Sequence, residues 1–133
     1  MPEVEPNDSR DTAPLISGRQ FSIEAGSMGT DVDCFGVRAA AGDSLVAYTH
    51  DGNGACPTDR RGPANTLITV VDSVLTVVAQ NDDAIGHGRC SRIDGPTLGT
   101  GFVLPAAGDY RVCVSSGGGA NIERYVLSVL LLP

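Results

Sequence analysis

Short apolar runs, mostly Val, Leu and Ile, recur along the chain between clusters of Gly, Asp, Asn and Pro. No long run keeps the three-to-four-residue spacing of an amphipathic helix. Short runs bounded by turn residues are instead the pattern of an all-β domain. Read in order, the pattern predicts strands over Gln20 to Ile23, Val32 to Arg38, Ser44 to Thr49, Thr66 to Val71 and Leu75 to Ala79. It continues with Thr100 to Leu104, Tyr110 to Val114 and Arg124 to Leu131. Successive side chains on a strand point to opposite faces. Phe35 and Val37 therefore share one face of their strand, and Cys34 and Gly36 the other. Tyr110, Val112 and Val114 likewise face one way. A hairpin is expected around Asp72-Ser73, and two long connections run over His50 to Asn65 and Asn81 to Gly95. About eight antiparallel strands at this spacing predict a single β-sandwich.

The 133 residues suit one domain, taken here as 1–133, with a polar segment over residues 1–14 that holds three prolines and little periodicity. Net charge is −7 and every basic residue is Arg. No basic stripe exists, so nucleic acid is not an expected partner. The longest apolar stretch, Tyr125 to Leu132, is too short to span a bilayer as a helix. Met1-Pro2-Glu3 lacks the basic and apolar regions of a signal peptide, so export requires a leader supplied elsewhere or removed.

Four cysteines, Cys34, Cys56, Cys90 and Cys113, permit three complete pairings. The even count in a loop-rich β domain favours disulfides and an oxidising compartment. Cys56 and Cys90 lie in the two long loops, while Cys34 and Cys113 lie on strands, both opposite the core-facing set. Pairing by location gives Cys56–Cys90 and Cys34–Cys113, each closing a loop for roughly 3 to 5 kcal/mol in the chain-entropy model. The competing reading is a zinc site of His50, Cys56, His87 and Cys90, in which His87-x-x-Cys90 has tight ligand spacing and His50 to Cys56 is loose.

No nucleophile elbow G-x-S-x-G is present. The two histidines lie in Gly-rich stretches beside cysteines, and oxidised thiols offer no thiolate. The chain is therefore read as non-catalytic. Glu3, Glu5, Asn7 and Asp8 place four oxygen-bearing side chains within six residues, and Asp31 and Asp33 add two more. Such a set suits calcium, which takes six to eight oxygens in flexible geometry. Taken alone it equally describes a solvated acidic linker. Asn81-Asp82-Asp83 reads as a turn after a strand, where Asn and Asp bond their own backbone.

Several pieces resemble one family in the right order. They are Glu3-Val4-Glu5-Pro6-Asn7-Asp8, then Asp31-Val32-Asp33-Cys34-Phe35, then Ala41-Gly42-Asp43, then Asn81-Asp82-Asp83. Ala107-Gly108-Asp109-Tyr110 and Tyr125-Val126-Leu127-Ser128-Val129 complete the set. Together they resemble the bacterial pre-peptidase C-terminal domain, over nearly the whole chain. The resemblance implies a jelly-roll-like β-sandwich appended to a secreted peptidase or another exported protein, which would be its partner in cis. It also implies kinship with the collagen-binding domains of bacterial collagenases and a calcium ion held by Glu3, Glu5, Asn7 and Asp8, with Asp31 and Asp33 as the second acidic pair. Ser27 is a further oxygen near this set. An extracellular polymer or protein is a second expected partner, although six aromatic residues leave few rings for such contact. The alternative is a structural spacer or export aid stabilised by disulfides. The sequence departs from the family pattern at Val74, where the hairpin usually has Gly, and at Cys34, a position often aromatic.

Overall fold

The computed structural model describes residues 19–27, 32–51, 66–81, 90–95, 99–116 and 122–133. Among these there is no helix. Nine strands form two antiparallel sheets: β1 (Gln20–Ser27), β2 (Val32–Ala39), β3 (Ser44–His50), β4 (Thr66–Val71), β5 (Val77–Asn81), β6 (Arg92–Ile93), β7 (Phe102–Val103), β8 (Gly108–Ser116) and β9 (Ile122–Leu132). The first sheet runs β1-β9-β3, with β6 and β7 both pairing along the far side of β3. The second runs β2-β8-β4-β5.

Alternation along each strand builds the core. Phe21 and Ile23 of β1, Leu45 and Ala47 of β3, and alternate residues Tyr125 to Leu131 of β9 form one inner face. Phe35, Val37, Ala39, Ile68, Val70, Tyr110, Val112 and Val114 form the other. The two faces pack as the single hydrophobic layer of a sandwich. Ile93 and Leu104 close the same cluster from the loops. One side of the interior also holds polar bonds. The Thr49 and Thr66 hydroxyls bond each other at 2.8 Å, and Ser91 Oγ donates to the Thr66 carbonyl.

Carboxylates organise the connections. Asp43 accepts from the Ala40 N–H and pairs with Arg19, each at 2.8 Å. Asp72 Oδ1 accepts from the N–H groups of Val74 and Thr76 and so holds the β4–β5 turn. Asp94 accepts from the N–H groups of Gly95, Gly99 and Gly101 and from Arg92 Nε. At Tyr110, the phenol donates to the Ala106 carbonyl at 2.7 Å and pins the turn before β8.

These carboxylates make the fold acid-sensitive. Burial resists ionisation of Asp94, but the three backbone N–H groups and Arg92 outweigh it and hold its pKa below the ordinary value. Arg19, and then the Ala40 N–H, lower the pKa of Asp43. A lowered folded-state pKa gives stability that is complete above the unfolded value, about 3.9 for Asp, and lost as pH falls through the folded value. The melting temperature is therefore expected to stay level from about pH 7 to 5 and to fall below about pH 4. Asp94→Asn should lower it more at neutral pH than at pH 3, which thermal unfolding at both values checks.

The strand pattern differs from the sequence reading where pairing, not periodicity, sets an element. β6 lies within the second long connection and exists because Arg92 and Ile93 pair with Tyr48 and Ala47. β5 starts at Val77, not Leu75, because Leu75 has φ of 65° and belongs to the turn. The hairpin loop is accordingly Asp72 to Thr76. The strand expected over Thr100 to Leu104 shrinks to two residues because Gly101, at φ of 86°, cannot extend it. β1 runs four residues beyond Ile23, as far as Ser27, by pairing with β9.

Candidate functional site

Asp33 is the one residue of the expected cation set whose side chain lies among the described residues. It is the second residue of β2, and its alternation with Phe35 and Val37 turns it inward. The carboxylate is fully buried. Tyr125, from β9 of the opposite sheet, donates its phenol to Asp33 Oδ2 at 2.8 Å. This bond crosses the sandwich and fixes the carboxylate at the end of the core where β2 begins. Glu3, Glu5, Asn7, Asp8 and Asp31 lie outside the described residues, as does the side chain of Ser27. Among the described residues no group of three or more His, Cys, Asp or Glu side chains is arranged to hold a metal ion.

Cys34 and Cys113 form a disulfide. They lie directly opposite each other on β2 and β8, with Cα atoms 4.0 Å apart, and are buried with Val32 on the side of the second sheet away from the core. Alternation on each strand foretold that side, and the antiparallel register brings the two together. Cys90 is also disulfide-bonded. Cys56, its expected partner, lies outside the described residues. The oxidation of Cys90 overturns the zinc reading, because a disulfide sulfur is not the thiolate a zinc ion requires. His50, the second described member of that set, is not in a loop but ends β3. Its Nε2 is 2.7 Å from Ser128 Oγ.

That contact belongs to a polar row across the outer face of the first sheet. Ser22 Oγ bonds Ser128 Oγ at 2.8 Å, and Ser128 in turn bonds His50. The Tyr48 ring lies 5.0 Å from the His50 ring, and the Arg92 guanidinium sits 4.8 Å over Tyr48. The sequence reading missed this row. The expected strand stopped at Thr49 and left His50 in the connection, and only the β1–β9–β3 register places Ser22 and Ser128 beside Tyr48 and His50. Ser128 and His50 are a hydroxyl–imidazole pair of the kind a hydrolase uses, yet here His50 is buried, at 5% exposure, within a sheet face. Tyr110 and Tyr125 are buried and Tyr48 is half-buried under Arg92.

No protein-family model matches the chain, and no curated protein matches it in sequence. The likeness to known proteins lies in the fold. The pre-peptidase C-terminal domain of collagenase from Bacillus anthracis superposes with a TM-score of 0.60 at 15% identity, covering 96% of this chain and 99% of that one. The fold is that of a pre-peptidase C-terminal domain. PliG of Aeromonas hydrophila, a periplasmic inhibitor of g-type lysozyme, shares it, with a TM-score of 0.61 at 16% identity over 91% of this chain and 96% of that one. Salmonella Typhimurium PliG shares it too, with a TM-score of 0.58 at 12% identity over 90% and 97%. The pre-peptidase C-terminal architecture thus accounts for the two-sheet sandwich and for nearly the full length of the chain. The three proteins are a domain of an enzyme and two enzyme inhibitors, and none is itself a catalytic domain.

Proposed function

We propose that this chain is a non-catalytic accessory domain of an exported bacterial protein, with its acidic N-terminal segment docked on the sandwich by calcium. The parent is an enzyme such as a secreted peptidase, joined in cis, and the domain aids its contact with substrate or surface. The observation that carries the reading is Asp33. It is a buried carboxylate held in place by Tyr125, at a position that the resemblance assigns to the cation set. Glu3, Glu5, Asn7, Asp8, Asp31 and Asp33 form an oxygen-only set, which suits a hard cation and not zinc. Bound calcium supplies positive charge that turns repulsion between two acidic segments into attraction. The oxidised cysteines fit the periplasm or the extracellular space.

Calcium is expected to raise the melting temperature, and the pair Glu5→Gln and Asp8→Asn to erase most of the rise. At 100 times the dissociation constant the gain is about 2.7 kcal/mol. An unchanged melting curve in EDTA and in millimolar calcium defeats the metal reading. The second reading, a spacer or export aid with no ligand of its own, draws support from the tyrosines. Two are in the core and the third is covered by Arg92, so few rings remain to grip a polymer.

A further inference from the structure

The outer face of the second sheet holds a cation that the fold leaves unanswered. Among the arginines whose side chains are described, Arg19 pairs with Asp43, Arg38 with Asp109 and Arg92 with Asp94. Arg111 alone has no ion-pair partner among the described residues. The one hydrogen bond its guanidinium makes among them runs from Nη1 to the carbonyl of Tyr110, the preceding residue, at 3.3 Å. Its Nε–H is buried and bonds nothing. A guanidinium carries several N–H donors in a fixed fork and keeps its charge in a protein. On a chain of net charge −7, one arginine is thus left with most of its donors unused.

Register sets out what surrounds it. Tyr110 and Val112 turn into the core, so Arg111 points to the outer face. Gly36 lies directly across from it on β2 and has no side chain to oppose the guanidinium. On the other side, Val71 of β4 lies across from Arg111, and Val77 of β5 across from Val71. The rung therefore reads Gly36, Arg111, Val71, Val77. Val71 is buried, whereas Val77 is 48% exposed. Two strand spacings, about 10 Å, separate Arg111 from Val77. Asp109, two residues along the same face, does not neutralise Arg111, because Arg38 already holds it at 2.9 Å. Two guanidiniums share one carboxylate, and both, Arg38 the more, keep the Asp109 pKa below its ordinary value.

We propose that Arg111 anchors a protein-docking site on the outer face of the second sheet, taking an Asp or Glu carboxylate of the partner while Val77 receives an apolar side chain beside it. A carboxylate meets the guanidinium fork with two parallel bonds. Turning the side chain outward, which the single long bond to Tyr110 does not prevent, presents Nε–H and an Nη–H together. Arginine is enriched at protein interfaces, where apolar neighbours exclude water from the contact. The exposed valine in the same rung favours a protein over an inorganic anion, which has no apolar part to place there. The site faces away from Asp33, on the other side of the second sheet, and is independent of the calcium reading.

A titration of the full chain followed by proton–nitrogen NMR tests this. The probe is a blocked peptide of glycine and serine with one glutamate and one leucine three residues apart, about 10 Å when extended. It should shift the Arg111 Nε–H and Val77 amide signals with a dissociation constant of about 1 mM. The same peptide with glutamine for glutamate should bind about tenfold more weakly, and so should the glutamate peptide to Arg111→Gln. Arg111→Lys keeps the charge but not the fork, and should lose most of the affinity. Val103→Glu, which changes net charge by the same amount as Arg111→Gln but on β7 of the other sheet, should bind like the wild type. Unchanged melting curves confirm that the variants fold, and the glutamine peptide gives the comparison without any variant. Absence of saturable shifts up to about 10 mM peptide overturns the proposal. So does equal binding of the glutamine peptide, or an equal shift with inorganic phosphate, which would mark a general anion subsite. Signals that move with protein concentration alone would put a second copy in the site, and overturn it too.

Discussion

Replacing Cys34 and Cys113 together by alanine is expected to destabilise the domain by about 4 kcal/mol. The bond joins residues 79 apart in sequence. In the chain-entropy account a loop of that length removes about 4.5 kcal/mol of unfolded-state freedom. The two sulfurs are buried with Val32, so their loss also forfeits packing. For a chain of this length the melting temperature should fall by about 12 °C. The double variant is preferable to chemical reduction because it leaves the disulfide of Cys90 intact. Denaturant unfolding of both proteins gives the difference directly, and a loss below about 1 kcal/mol would mean that the unfolded chain is already constrained elsewhere.

Gly101→Ala is expected to cost about 3 kcal/mol, through two separate effects. At φ of 86° a side chain is strained whatever the space around it, by roughly 1–2 kcal/mol. A Cβ at this position would also lie 2.6 Å from Ser44 Cβ and 3.2 Å from the Ser44 carbonyl carbon, so the start of β3 must shift. Gly99 isolates the first effect. Its φ is 84°, but a Cβ there meets nothing within 4 Å. Gly99→Ala should therefore cost only the backbone strain, about 1 kcal/mol. Equal melting temperatures for the two variants would show that the Gly101–Ser44 approach yields freely.

The sandwich was legible because burial follows alternation. Phe35 and Val37, and Tyr110, Val112 and Val114, announce their inward faces in sequence, and the same rule puts Cys34 and Cys113 on the outward ones. What alternation cannot show is which strand lies beside which. β6 has two residues and is defined only by its partner β3. The turn at Leu75 was read as strand because a leucine between apolar neighbours has strand character and nothing local marks its positive φ. The candidate site was legible only in part for the same reason. Asp33 stood out as an acidic residue in a recurring pattern, but its bond to Tyr125 spans 92 positions and arises from the stacking of two sheets. The row from Ser22 to Arg92 likewise needs the register of several strands at once.

The pairing of β1 with β9 determines how the domain answers to force. Gln20 lies opposite Leu130, so the start of β1 and the last residues of β9 are neighbours at the same end of the first sheet. Tension applied through them peels the two strands apart one rung at a time, instead of shearing all the rungs together. The domain should yield early when stretched between two tethered modules. Extension should then halt at the bond between Cys34 and Cys113, which bars the intervening chain from unravelling and fixes the length that tension can release.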